Sequence, residues 1–239
     1  MNKTLYTKVI VMMSLVLILG FALAEPNGVT TITEESSSSG PTAGTAANHS
    51  AIAGNVTEIT IYGDSITQSW QGYFGNVSGA IRLADASGNP MYNWSLASPQ
   101  GEVFASTASS ITWSSIECFN WTADGAALET SLNIDNSEDG INETFSKVIG
   151  HESFSVGTTT FAEDDCMGAR IFDNTGAGVD QNFEEVLLSD TTNTVFASLL
   201  EQDTLGFNSK SHDFEMLVLE DGHDGNAVTT PYFFYIELE

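Results

Sequence analysis

Residues 55–105, NVTEITIYGDSITQSWQGYFGNVSGAIRLADASGNPMYNWSLASPQGEVFA, hold the densest run of strand patterns in the chain. Ile59 and Ile61 alternate with Thr60, and Ile81 and Leu83 alternate with Arg82. Tyr92, Trp94 and Leu96 share one face, opposite Met91, Asn93 and Ser95. A period of two puts apolar side chains on one face of a strand, and the Gly, Asn and Asp residues between runs mark turns. Within this stretch YGDSIT (62–67) has two readings: a nucleophile loop that follows a strand, or a turn between two strands.

The pattern continues outward. Ile111 and Trp113 flank Thr112, and at the far end Tyr232, Phe234, Ile236 and Leu238 alternate with Phe233, Tyr235 and Glu237. The last run is apolar on both faces and predicts a strand buried on both sides. Short strands at regular spacing predict an all-β fold, an antiparallel β-sandwich of jelly-roll type with an extended N-terminal segment. Helices are expected only at 125–132 or 143–149. About 185 residues, 55–239, suffice for a sizeable core.

A faint repeat runs through the domain. LADASGNPMYNWSL (83–96) aligns with LSDTTNTVFASLL (188–200) with one gap, and VFAS recurs at 103–106 and 195–198. Either two hairpins of one sandwich share a plan, or two subdomains meet near Gly150.

Before the domain, Lys3 and Lys8 precede an apolar run and Ala22-Leu23-Ala24 supplies a small-residue cleavage site, so 1–24 reads as a secretory signal peptide. With neither a lipobox cysteine nor a hydrophobic C-terminal tail, no stable membrane anchor is expected. Residues 25–54 form a linker of low complexity, with SSSSG at 36–40, too poor in apolar residues to offset the entropy of ordering. VTTIT (Val29, Thr30, Thr31, Ile32 and Thr33) is a β-branched island in it. It reads as part of a stalk, or as a strand that pairs with a neighbour's sheet edge and so mediates self-association.

The net charge is −26, from 32 acids and 6 bases. Loss of 1–24 removes two bases and no acid. Such a chain repels phosphate backbones, which argues against nucleic-acid partners. Cys118 and Cys166 are the only cysteines, an even count that predicts a disulfide in an exported chain. Asn48, Asn55, Asn76, Asn93, Asn120 and Asn142 each begin an Asn-X-Ser/Thr sequon, and covalent N-glycans are expected there. No cofactor is expected apart from calcium. DNSEDG (135–140) places Asp135, Ser137 and Asp139 at alternate positions like the start of a calcium loop, but Ser146 stands where a bidentate Glu is needed. AEDD (162–165) and DGHDGN (221–226) are further acidic turns. His151 and His212 read as satisfied polar residues.

Two resemblances bear on function. ITIYGDSITQSW (59–70) resembles the first block of the GDSL/SGNH esterases, which implies Ser65 as nucleophile. EDGH (220–223) then implies His223 as base with Glu220 as its acid. That family's Gly-x-Asn-Asp block is missing, and the glycines at 72, 75 and 79 do not suit the helix that follows its serine. Over most of 55–239, the run SITQSWQGYFGNVSG, the Asp-Asp-Cys stretch, FEEVLL and the aromatic C-terminal strand resemble secreted β-rich surface glycoproteins of archaeal type, some of which build extracellular fibrils by strand donation. That resemblance implies a structural homopolymer rather than an enzyme. A third reading is a carbohydrate-binding module that uses exposed members of Trp70, Trp94, Trp113 and Trp121.

Overall fold

A computed structural model of the chain describes residues 25–40, 44–96, 100–134, 138–221 and 229–238; the expected signal peptide, 1–24, lies outside them. The strands are β1 (Asn27–Gly28), β2 (Trp70–Gly75), β3 (Ala80–Ala84), β4 (Pro90–Ser95), β5 (Gly101–Ser106) and β6 (Glu117–Cys118). There follow β7 (Phe154–Val156), β8 (Thr159–Phe161), β9 (Met167–Arg170), β10 (Glu184–Ser189), β11 (Thr194–Leu199), β12 (Thr204–Leu205), β13 (Ser211–His212), β14 (Phe214–Leu219) and β15 (Phe233–Leu238). The α-helices are short: α1 (Ala126–Ser131) and α2 (Ile141–Thr144). The fold is all-β and antiparallel.

One sheet organises the molecule, in the order β1-β15-β5-β11-β10, with β9 and β6 sharing the outer edge of β10. It takes strands from both sides of Gly150, so the two halves of the chain build it jointly. Both of its faces are buried. One carries Val103, Ala105, Leu187 and Phe196 against Met216, Val218 and Phe145. The other carries Phe104, Val186, Leu188, Val195 and Tyr235 against Trp113, Ile116, Phe154 and Phe161. The first face is covered by the β2–β14 pair and α2. The second is covered by residues 108–116 and the β7–β8 hairpin.

The VFAS repeat has a physical reason. The two copies lie on adjacent strands and pair with each other antiparallel, so that Phe104 faces Ala197 and Phe196 faces Ala105. A large residue opposite a small one on each face fills both cores without a clash. The longer repeat is realised as two hairpins. In the β3–β4 turn the Asp85 carboxylate accepts from the backbone N–H groups of Ser87 and Asn89, both at 2.9 Å. In the β10–β11 turn Asp190 does the same for Thr192 and Asn193, at 3.1 and 2.7 Å. Both copies of the repeat form an antiparallel hairpin whose turn is closed by an aspartate.

The disulfide joins Cys118 of β6 to Cys166, fastening the segment before β9 to the sheet edge. Three local expectations are corrected. Residues 59–61 form no strand: they are extended and exposed, with no partner strand to make their alternation count. Ile111 and Trp113 are buried, but by a tight turn at Trp113–Ser115 rather than a strand. The second helix is Ile141–Thr144 rather than 143–149, because Phe145 is already extended and its N–H closes on Ile141.

The VFAS pairing gives a direct test. Phe104→Ala should cost about 3–5 kcal/mol in denaturant unfolding, and Ala197→Phe about 1–3 kcal/mol. Combining them swaps large and small across one cross-strand pair. The double variant should lose clearly less than the sum, and strict additivity would refute the complementarity.

Candidate functional site

Ser65 lies in an exposed, extended segment, with neither a strand before it nor a helix after it. The strand that does follow, β2, begins at Trp70, whose ring N–H donates to the Asp139 carbonyl at 2.6 Å. Thr67 donates to the Asp139 carboxylate. Glu220 stands at the end of β14, its N–H bonded to the Ser69 carbonyl at 2.8 Å. His223 lies outside the described residues. Nothing here forms the strand-to-helix elbow that a serine nucleophile needs. Of the calcium candidates, Asp135 and Ser137 also lie outside the described residues. Asp139 is occupied as above, and no group of three metal-ligating side chains forms among the described residues.

The N-terminal segment behaves differently from the rest of the linker. Asn27 and Gly28 pair with Ile236 and Tyr235 on the edge of β15, and the Val29 N–H donates to the Phe234 carbonyl at 3.3 Å. Pro26 is buried. From Thr30 onward the chain is exposed: no described residue from Thr30 to Thr67 belongs to a strand or helix, and Ile32 is 65% exposed. All six sequon asparagines, Asn48, Asn55, Asn76, Asn93, Asn120 and Asn142, are exposed. Asn120 uses its side-chain oxygen to cap Ala123, which leaves its amide nitrogen outward.

The sequence did not foretell that the β3–β4 hairpin would stand clear of both cores. Every residue of both strands is exposed. Of the tryptophans, Trp113 is buried, Trp70 and Trp121 are half-buried against the first core, and Trp94 is exposed beside Tyr92 at a ring separation of 4.9 Å.

Buried acids were also missed, although two glutamates inside FEEVLL were a signal. Alternation along β10 sends Glu184 and Glu185 to opposite faces. Glu184 accepts from the N–H groups of Glu152 (2.6 Å) and Gln181 (3.0 Å) and faces Arg170. Glu185 is fully buried, and its Oε2 accepts from the Leu217 N–H at 2.9 Å. Opposite it on β11, Ser198 donates to the Glu215 carbonyl at 2.8 Å. These two side chains satisfy the Leu217 N–H and the Glu215 carbonyl on β14, and the Tyr232 hydroxyl donates to the Leu219 carbonyl at 2.8 Å. Burial pushes the Glu185 carboxyl well above the ordinary range. Burial also raises Glu201, helped by Glu152 and Glu184, and Glu215, helped by Asp173, each to about 7.

A polar cleft of about 210 Å³ opens beside Glu184, lined by His151, Glu152, Glu163, Asp164, Arg170 and Asp180 among others. Its His151, Arg170 and Asp180 side chains are spent on structure. His151 Nε2 accepts from the Cys166 N–H at 3.0 Å, so Nδ1 carries the proton and donates to the Glu152 carbonyl at 2.7 Å. Arg170 bonds Asp180. His212 is likewise held, Nε2 meeting Asn208 at 2.9 Å. No helix among the described residues is long and apolar enough to cross a membrane.

No family model, no curated protein and no solved structure matches this chain.

The carboxyl environments fix a pH profile. Glu185, Glu201 and Glu215 all have folded pKa values above the ordinary 4.5, so their stabilisation is complete below pH 4.5 and is lost as pH rises through the folded values, about 7 for Glu201 and Glu215. Asp85 and Asp173 are lowered by bonds from Asn89 and Thr175 respectively. Desolvation would raise Asp190, but N–H groups of Thr112, Asn193 and Thr192 outweigh it and leave it lowered. Their contribution is present above 3.8 and is lost as pH falls through their folded values. Melting temperature should therefore peak near pH 4–5 and fall towards pH 8. Glu185→Gln, which can still accept from Leu217, should flatten the alkaline side. A profile that rises from pH 5 to 8 would contradict this account.

Proposed function

We propose that the chain is a secreted, N-glycosylated structural surface protein that self-assembles into extracellular fibrils or a surface layer by donating its N-terminal strand. The observation that carries this reading is the behaviour of residues 25–33. Asn27 and Gly28 act as an edge strand on β15, Val29 adds one bond to it, and the β-branched Thr30, Thr31, Ile32 and Thr33 that follow are exposed. A strand-prone segment that pairs with no strand of its own chain beyond Val29 can supply main-chain hydrogen bonds to an open sheet edge, while its alternate side chains give register. A head-to-tail contact of that kind does not close on itself and propagates. Six exposed sequons and the acidic surface suit a coat that must stay soluble until it assembles.

Deletion of 25–34 from the secreted protein should abolish assembly, read by negative-stain electron microscopy at physiological salt with calcium present. Filaments or sheets that persist unchanged would overturn strand donation. Ser65→Ala in the same preparation should leave any ester hydrolysis at background, as in the parent; a loss specific to that variant would restore the esterase reading.

A further inference from the structure

The β3–β4 hairpin carries an interface that strand donation does not use. Its register places Ile81 opposite Trp94 and Leu83 opposite Tyr92, so these four side chains share one face. Arg82 and Asn93 are paired on the other face, and Ala80 and Ser95 beside them. The division is clean: the first face is wholly apolar. Its members are 52% (Ile81), 51% (Leu83), 60% (Tyr92) and 49% (Trp94) exposed, although they pack against one another. A two-stranded hairpin with nothing on either face is marginal in water and needs a third layer or strand. Gly79, at its base, lies against Leu238, so the hairpin is attached to the body at the end of β15 and projects from there.

We infer that this face packs against the same face of a second copy of the chain. Charge favours that occupant. The protein carries −26 overall, so most of its surface repels another copy. Residues 65–101 hold one acid, Asp85, and one base, Arg82, and Asp85 is tied into its own turn. This long electroneutral stretch is where two copies approach at least electrostatic cost. The sequon at Asn93 points away from the apolar face, so a glycan there shields the far side and leaves this one open.

The face also complements itself. β3 contributes the aliphatic pair and β4 the aromatic pair. A two-fold axis parallel to the strands, midway between two stacked hairpins, lays Ile81 and Leu83 of one copy over Trp94 and Tyr92 of its partner, and the reverse. Two sheets stacked in this way sit roughly 10 Å apart with interdigitated side chains. The axis makes the contact isologous and closed, unlike the open-ended contact of a donated strand. Four side chains per copy form a patch smaller than a standard interface, so the free dimer is weak, and it strengthens where many copies are already joined.

The experiment is sedimentation velocity on the secreted chain over a concentration series, with Tyr92→Ser/Trp94→Ser and Arg82→Ala as variants. All of these positions lie outside both cores, so the body should keep its melting temperature; Tyr92→Phe/Trp94→Phe, which keeps the rings that pack within the hairpin, should retain the dimer. The chain lacking 25–34, which cannot propagate by strand donation, should show a monomer–dimer equilibrium that tightens as salt screens the net charge, and the parent should show the same dimer step below the concentration at which it polymerises. The double serine variant should weaken dimerisation at least tenfold, while Arg82→Ala, on the opposite face, should not. Deletion of 25–34 should leave the dimer in place, which separates this interface from strand donation. A parent that stays monomeric, or a dimer indifferent to the double serine variant, overturns the proposal. So does quenching of Trp94 fluorescence by oligosaccharide without dimerisation, which would make Tyr92 and Trp94 a sugar platform.

Discussion

The pairing of Gly101–Ser106 with Thr194–Leu199 is the contact on which the rest of the sheet depends. It brings together segments about ninety residues apart, and β15 and β10 then attach to its two sides. Because both faces are covered, each strand must offer apolar groups in both directions. A repeated VFAS solves this by symmetry. Antiparallel pairing of a four-residue word with itself sets its second residue against its third, so Phe always meets Ala. Pairing over such a sequence distance closes a long loop before any contact is gained, which makes a well-matched seam valuable.

A sheet covered on both sides has a second requirement, namely a partner for every polar group taken from water. The layer over the first face is only two strands wide. The far edge of β14 therefore meets the sheet's own side chains, Glu185 and Ser198, where another strand would normally bond it. A neutral carboxyl costs far less to bury than a carboxylate, and this is why burial moves Glu185 upward. The acidity of the chain thus has two parts: an exposed majority, and a buried minority whose carboxylates accept hydrogen bonds from backbone N–H groups.

The sequence made some of this visible and hid the rest for identifiable reasons. The two Asp…Asn turns, the doubly apolar C-terminal strand and the Cys118–Cys166 bridge were legible because each depends on local chemistry or on elimination. The strand order was not, because β15 meets β5 across more than half of the chain and no local pattern records that choice. Ile59 and Ile61 have the alternation of a strand and no neighbour, and alternation without a partner gives only an extended segment. The spacing of Ile111 and Trp113 fits a buried turn as well as a strand. Glu184 and Glu185 stood in plain view inside FEEVLL, but a charged residue in an apolar run reads as a surface position until the covering layer is known.

The N-terminal edge explains how a chain of this kind would hold assembly in check. β15 presents six residues along its outer edge, and β1 covers only two of them, with one further bond from Val29. An open edge invites pairing, and proteins normally blunt it with charge or a cover. Here the cover is short. Each hydrogen bond contributes on the order of 0.5–1.5 kcal/mol net, so exchanging the chain's own segment for a neighbour's costs little and returns the same bonds. What opposes the exchange is repulsion between copies that each carry −28 once 1–24 and its two lysines are removed. Repulsion between exposed charges is screened within a Debye length of about 10 Å at 0.1 M salt, whereas hydrogen bonds and apolar contacts are not. Under the proposed function, a dilute or low-salt protein keeps its N-terminal strand on its own sheet. Concentration and salt shift the same strand to a neighbour without any change in the fold of either.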